Sequence, residues 1–332
     1  MSAVASSTHM AADALLEAAE LQVAFPGPDG TQHRVVDGVS LQIARGEALG
    51  LVGESGSGKT MIALALLGLV PVPGVVRARR LTFDGIDLTG LDEVGWRGLR
   101  GRRIAMVFQN PMSGFNPVRT IGHQLSRAIE RHSAVAREVA WSRAVAALES
   151  VGIAAPAQRA AAYPHEMSGG MLQRAMIALA LINQPDVVLA DEPTTALDAT
   201  VQAQILELLR TRFEGAGLLL VTHNLGVAAQ LCARVAVIYA GRIAEMGPTA
   251  QVLRRPQHPY TQALVRAAPR LAAERRPLEP IPGQPPGPED LIAGCRFARR
   301  CPRASTRCVD QPPLVESAEG VAVACWHSEE AR

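Results

Sequence analysis

The sequence predicts an α/β fold built around a parallel sheet, and three features predict it. The runs 187–190 and 218–222 are almost continuously apolar, as strands buried on both faces are. Helix-like and strand-like patterns alternate through 172–245, as a doubly wound core requires. A glycine-rich run, Gly53-Glu54-Ser55-Gly56-Ser57-Gly58-Lys59-Thr60, stands between an apolar strand-like stretch at 48–52 and a helix-like stretch at 61–69.

That run has the spacing G-x-x-x-x-G-K-[ST] of a loop that cradles phosphate groups. Backbone N–H groups at a helix N-terminus face a bound anion, and the glycines let the chain wrap it closely. Lys59 can bring its ammonium to the β- and γ-phosphates, and the Thr60 hydroxyl can ligate Mg²⁺.

Taken in order, 20–25 and 35–43 alternate as two strands of a small antiparallel sheet around a Gly/Pro/Asp turn. Strand, phosphate loop and helix follow, then Arg80-Leu81-Thr82-Phe83 before an Asp84-Gly85 turn. Another strand, 104–108, ends at Gln109. Residues 120–165 read as helical, with apolar positions at Val139, Val145, Leu148 and Val151, until Pro164 breaks the run. Ser168-Gly169-Gly170-Met171-Leu172-Gln173-Arg174 then opens another helix and offers a second anion-binding N-terminus. The strand at 187–190 delivers Asp191 and Glu192 at its end. An acid there can serve Mg²⁺, and its neighbour can polarise an attacking water. His223 follows the strand at 218–221.

Six prolines and two glycines between Pro277 and Pro288 mark an extended linker. The tail beyond it reads as a separate small module. It holds Cys295, Cys301, Cys308 and Cys325, spaced more widely than the Cys-x2–4-Cys pairs of a zinc ribbon. A tail this short has too little core to fold without a staple, and thiolates can bind zinc or an iron–sulfur centre. Four free thiols are the alternative, with His327 a reserve ligand. Arg296, Arg299, Arg300, Arg303 and Arg307 make the tail basic, either to offset the charge of a bound group or as a solvated face. Cys232, alone in a helix-like run, reads as an inert core thiol.

A chain of 332 residues holds one large domain or two small ones, and at 48% hydrophobic it has ample core. A net charge of +2 gives no nucleic-acid footprint. Residues 1–19 lack the basic region and apolar core of a secretory signal. The longest charge-free apolar stretch, 61–76, is interrupted by Pro71 and Pro73 and is shorter than the ~20 residues a membrane span needs. The chain is expected to be soluble or peripherally attached, and without a signal its cysteines argue against a disulfide framework.

In this joint order the motifs resemble the ATP-binding-cassette (ABC) transporter ATPases over about residues 17–265. The resemblance implies a P-loop NTPase cassette with a RecA-like parallel-sheet core, an antiparallel β subdomain and a helical subdomain, plus a small Cys-rich C-terminal module. Gly53 to Thr60 looks like the Walker A loop, and Gln109 like the Q-loop glutamine. Ser168, Gly169, Gly170 and Gln173 look like the signature motif, which serves the nucleotide of an opposing cassette. Asp191 and Glu192 look like the Walker B acid and the catalytic base, with Thr60, Gln109 and Asp191 around Mg²⁺. Ala196-Leu197-Asp198 looks like the D-loop and His223 like the switch histidine. Phe25 sits where the family places an aromatic against adenine, or is a core residue at a strand end. Met167 stands where many members have Leu.

Within the family, Val36-Asp37-Gly38-Val39-Ser40, Phe108-Gln109-Asn110-Pro111-Met112 with Asn116-Pro117, His258-Pro259-Tyr260-Thr261-Gln262-Ala263-Leu264 and the cysteine tail resemble the peptide/nickel importer branch. There the four tail cysteines are associated with a [4Fe–4S] cluster, which becomes the leading expectation over Zn²⁺. The implied division is a flexible lead at 1–16, a nucleotide-binding domain at 17–268 with a helical insertion at about 115–175, a linker at 269–293 and the module at 294–332.

The implied function is ATP hydrolysis energising import of di- or oligopeptides, with nickel or glutathione-like solutes as the alternative. The implied partners are two transmembrane permease subunits, a second ATPase subunit or second copy, and an extracytoplasmic solute-binding protein. No nucleic acid is expected. The expected place is the cytoplasmic face of the inner membrane. A soluble cassette acting on nucleic acid or ribosomes would carry tandem cassettes or coiled-coil insertions, which this chain lacks. A non-enzymatic regulatory cassette disagrees with the intact Lys59, Asp191, Glu192 and His223.

Overall fold

The computed structural model describes residues 14–27, 30–195, 197–213, 215–268, 280–291 and 293–328. The expected lead up to residue 13, Ala196 of the expected D-loop, 269–279 and 292 of the expected linker and 329–332 of the expected module lie outside them.

The elements run β1 (Ala14–Pro26), β2 (Gln32–Ala44), β3 (Ala48–Val52), α1 (Lys59–Leu66), β4 (Val75–Arg77), β5 (Arg80–Phe83), β6 (Ile86–Asp87), α2 (Glu93–Leu99) and β7 (Ile104–Val107). Then come α3 (Ile121–Glu130), α4 (Arg137–Ser150), α5 (Pro156–Ala160), α6 (Gly169–Leu181), β8 (Val187–Asp191), α7 (Ala199–Arg212), β9 (Gly217–Thr222) and α8 (Leu225–Leu231). The chain closes with β10 (Arg234–Tyr239), β11 (Arg242–Pro248), α9 (Thr249–Arg254), α10 (Pro259–Ala267), β12 (Val315–Glu316) and β13 (Ala322–Val323).

The larger sheet has the order β12-β13-β11-β10-β3-β9-β8-β7, and its stretch from β10 to β7 is parallel. Side chains alternate across a strand, so each parallel strand feeds two cores. Leu49 and Leu51, Val187 and Leu189, and Leu219 and Val221 enter one core, shared with α1 and with β1, β2 and β5 of the antiparallel sheet. Val188, Ala190, Leu218 and Leu220 enter the other, beneath α6, α7 and α8. This double burial explains why these strands read as continuous apolar runs. The antiparallel sheet has the order β2-β1-β5-β6, with β4 also on β1. β1 starts at Ala14, ahead of the expected cassette boundary at residue 17.

The expected helical stretch 120–165 divides into α3, α4 and α5. α4 gives way at Val151–Gly152, where Gly152 has φ 74°, a left-handed conformation that stops helices. α1 ends short of the expected 69 for the same reason: Gly68 has φ 62°.

The tail does not stand apart from the cassette. β13 pairs antiparallel with β11, matching Glu245 to Val323 and Met246 to Ala322, so the tail extends the main sheet. Phe297 is buried against the rings of Tyr239, Tyr260 and His258, with centroids 5.1, 5.4 and 6.0 Å away. Two of the five tail arginines are likewise not part of a solvated face. Arg296 pairs with Asp37 at 2.7 Å and Arg300 with Glu54 at 2.8 Å. Among the described residues no helix is long and apolar enough to cross a membrane.

Candidate functional site

The phosphate loop leaves β3 at Val52 and enters α1 at Lys59. Gly53 has φ 155° and backs onto the carbonyl of Ile238, where a Cβ would collide. Gly58 caps α1 with φ 98°, and no side chain caps that helix start. Its first amides are therefore without a side-chain cap, in the arrangement that suits an anion.

Lys59 is 5% exposed and folds back over the loop. Its Nζ donates to Gly53 O at 2.9 Å, Glu54 O at 2.8 Å and Ser57 Oγ at 3.2 Å. Burial pushes its pKa below the usual lysine value, against the opposing pull of Glu192, Asp191 and Glu54.

β8 ends beside this loop. Thr60 Oγ1 donates to Asp191 Oδ1 at 3.1 Å. Burial raises the Asp191 pKa; the Thr60 hydrogen bond opposes it, Glu192 adds to it and Lys59 opposes it. Glu192 has φ 44°, a left-handed conformation that costs a non-glycine residue on the order of 1–3 kcal/mol. A bond from its amide to Val221 O at 2.9 Å holds it there.

Three groups converge on the Glu192 carboxylate. Gln109 Nε2 donates to Oε2 at 3.1 Å, Thr195 Oγ1 donates to Oε2 at 2.8 Å, and His223 Nδ1 lies 3.1 Å from Oε1. Burial works to raise the Glu192 pKa, but the hydrogen bonds of His223 and Thr195 and the charges of His223 and Lys59 outweigh it. The carboxyl sits below the usual range. Glu192 is therefore ionised at neutral pH, as a proton acceptor must be.

Lys59, Thr60, Gln109, Asp191, Glu192 and His223 thus come together, from four separate stretches of chain. The remaining expected residues lie on other elements. Ser168 caps α6, its Oγ accepting from Met171 N at 3.3 Å, so Gly169 and Gly170 form the first turn. Gln173 is buried with its Nε2 unpartnered. Asp198 caps α7, accepting from Val201 N at 2.9 Å, and Val201 packs on Gly170, bringing the two helix starts together. Phe25 lies at the end of β1, opposite His33 and against Gly74.

Sequence reasoning missed three contacts on this site. Thr195 lies one turn beyond Glu192, and that spacing was its only signal. Tyr260, inside the quoted His258-Pro259-Tyr260 stretch, accepts from Glu54 N at 2.8 Å. Arg300 grips the Glu54 carboxylate at 2.8 and 3.1 Å. Nothing in the sequence separates it from its neighbouring arginines.

The structure gives no support of its own to the expected four-cysteine metal centre. Cys295, Cys301, Cys308 and Cys325 are close enough to influence one another's ionisation. Yet among the described residues no group of three or more His, Cys, Asp or Glu side chains is arranged to hold a metal ion. Burial pushes the Cys295 thiol up to about 11 and raises Cys301 and Cys325. Cys232 is a buried core thiol, pushed up to about 12 by burial.

A phosphate loop at the head of a parallel sheet, facing two acids at a strand end, defines a nucleoside-triphosphate hydrolase. Residues 36–195 match the family model "ABC transporter", and 244–308 match "Oligopeptide/dipeptide transporter, C-terminal region". The chain is 44% identical to the dipeptide transport ATP-binding protein DppD of Escherichia coli (strain K12), across 95% of this chain and 97% of that one. It is 42% identical to the oligopeptide transport ATP-binding protein OppD of Salmonella typhimurium (strain LT2), across 98% and 97%. The dimeric ATP-binding cassette MJ0796, solved in a post-hydrolysis state with ADP and Pi, superposes with a TM-score of 0.62 at 26% identity, covering 70% of this chain and 98% of that one. The chain belongs to the ABC transporter ATPases, in the oligopeptide/dipeptide transport branch.

Proposed function

We propose that this chain hydrolyses ATP to drive import of di- or oligopeptides through separate permease subunits. The observation that carries the reading is the Glu192 carboxylate, ionised and held by Gln109, Thr195 and His223 beside the phosphate loop. Full-length similarity to dipeptide and oligopeptide transport proteins supports the substrate class.

In this reading the loop amides and Lys59 bind the phosphates, and Lys59 exchanges its three loop acceptors for phosphate oxygens. Mg²⁺ fits the site: Thr60 and Asp191 already present adjoining hard oxygen donors, and Gln109 lies at the rim. When bound, Mg²⁺ neutralises developing charge on the phosphates. Glu192 takes a proton from water, and His223 keeps that carboxylate oriented. Phe25 would carry the adenine by stacking, worth about 0.5–1.5 kcal/mol.

Ser168, Gly169, Gly170 and Gln173 stand at the start of α6 rather than on their own phosphate loop. That suits service to the nucleotide of an opposing cassette, which is a second copy or a second ATPase. Asp198, beside them through Val201, belongs to the same dimer face. The remaining partners are two transmembrane permeases and an extracytoplasmic solute-binding protein, with the chain peripheral at the cytoplasmic face of the inner membrane. The mutual proximity of the four tail thiols supports a [4Fe–4S] cluster as their ligand once they are deprotonated, with Zn²⁺ as the alternative.

The test is Glu192→Gln in the assembled transporter. ATP binding should persist while hydrolysis falls ~10²–10⁴-fold, the contribution of a positioned base. Turnover at the wild-type rate would remove Glu192 from the base role.

A further inference from the structure

We infer that Arg300, carried by the cysteine-rich tail, is a positioning residue for the phosphate loop, so that the nucleotide site is completed by a segment almost 250 residues downstream of it. The inference rests on the reading of residues 53–60 as the ATP-binding loop.

The guanidinium is 5% exposed at its side chain and fully committed. Nη1 and Nη2 bond the two Glu54 carboxylate oxygens at 2.8 and 3.1 Å, the paired geometry a planar fork allows. Nε donates to Pro282 O at 2.8 Å, and Nη1 also reaches Tyr239 Oη at 3.2 Å. The cation stands over the rings of Tyr239 and Phe297, 5.7 and 5.9 Å from their centroids. Burial opposes the charge, yet the Glu54 and Tyr239 contacts leave Arg300 more firmly protonated than a free arginine.

Glu54 is thereby held at three points. Arg300 takes its carboxylate, Tyr260 Oη accepts from its amide at 2.8 Å, and Lys59 donates to its carbonyl at 2.8 Å. One of these is the lysine that must meet phosphate, and the other two come from the C-terminal part of the chain. A glycine-rich loop loses much conformational freedom on ordering. Holding Glu54 before nucleotide arrives lowers that cost and strengthens binding. The carboxylate faces the tail, so its effect is on loop geometry. The Arg300 turn, Ala298–Arg300, is itself set between Cys295 and Cys301 by bonds from Ala298 N to Cys295 O and from Cys301 N to Ala298 O.

The experiment measures equilibrium binding of a non-hydrolysable ATP analogue to the full chain. Arg300→Ala and Glu54→Ala should each weaken binding about tenfold, which is ~1.4 kcal/mol. The double variant should be no weaker than the weaker-binding single variant, because both remove one contact. Arg300→Lys, which keeps the charge but loses the fork, should fall between wild type and Arg300→Ala. In the assembled transporter, Arg300→Ala should raise the KM for ATP by more than it lowers kcat.

Wild-type affinity in Arg300→Ala overturns the inference. So does Glu54→Ala binding as tightly as wild type, which would trace the Arg300 effect to damage in the tail itself. Additive losses in the double variant overturn it too. Lys59→Ala in the same assay reports on the loop reading separately. If Lys59→Ala binds like wild type, that reading fails and the inference with it; if Lys59→Ala weakens binding and Arg300→Ala does not, only the inference fails.

Discussion

His258 should make the docking of the C-terminal tail sensitive to mild acid. The imidazole is fully enclosed, with Nδ1 accepting from Tyr260 N at 3.0 Å and a further hydrogen bond joining it to the backbone of Ala324 in the tail. Burial pulls its pKa from 6.5 down to about 4, against the Ala324 bond. A histidine depressed in the folded state stabilises it fully above the unfolded pKa. That stability is lost as pH falls from about 6.5 towards 4, because the unfolded chain takes the proton first. The contribution is about 3 kcal/mol at neutral pH, lost at up to ~1.4 kcal/mol per pH unit. Glu245 also faces this site, its carboxylate accepting from the amides of Gln257 and His258 at 2.9 and 3.0 Å. Burial raises its pKa, the two amides opposing, so its proton linkage runs in the opposite direction. The histidine term is therefore the difference between wild type and His258→Gln. The assay is denaturant unfolding from pH 7 to 4.5, with hydrogen exchange of α10 and β13 read alongside. Wild type should lose stability more steeply than His258→Gln below pH 6.5, with α10 and β13 loosening first. Parallel slopes for the two proteins would refute the reasoning.

Two further outcomes are expected. Ser168→Arg removes the α6 cap, worth about 1 kcal/mol, and should block closure with an opposing cassette while the isolated chain still binds ATP; loss of binding in the isolated chain would show that Ser168 acts on its own nucleotide. The proposed cluster predicts iron and acid-labile sulfide near four each per chain in anaerobically purified protein, as tetracysteinyl cubane ligation implies. Stoichiometric zinc without iron would replace the cluster, and four titratable thiols without metal would remove it.

Much of the hydrolytic site is legible in sequence because its chemistry is local. Glycines, a lysine and a threonine must be adjacent to wrap a phosphate, and Asp191 and Glu192 must follow a strand to stand at the sheet's edge. The parallel strands are legible because burial on both faces forces uninterrupted apolar runs. What sequence hides is pairing across distance. Arg296 and Arg300 read as a counter-charge to a bound group or as a solvated basic face, since an arginine's partner is invisible until the fold brings it near. The separate-module reading of the tail fails for the same reason. A proline-rich linker shows where regular structure stops, but not where the chain lands afterwards. β12 and β13 are two residues each, too short for any periodicity to announce them.

The same pairing explains why the tail belongs to the ATPase and is not an appendage to it. Its two short strands could not hold it in place alone, since two-residue ladders contribute little. The attachment depends instead on Phe297 among Tyr239, Tyr260 and His258, and on two arginines paired with acids of the cassette, the buried Asp37 and the half-buried Glu54. Removing the tail would therefore expose an aromatic pocket and take an arginine from each of two carboxylates, one of them in the phosphate loop. Asp37 would keep Arg242 at 2.6 Å, whereas the described ion pair of Glu54 is with Arg300 alone. The loss should then fall more heavily on the loop than on β2. A tail that merely decorated the surface would leave both acids solvated and the loop unchanged.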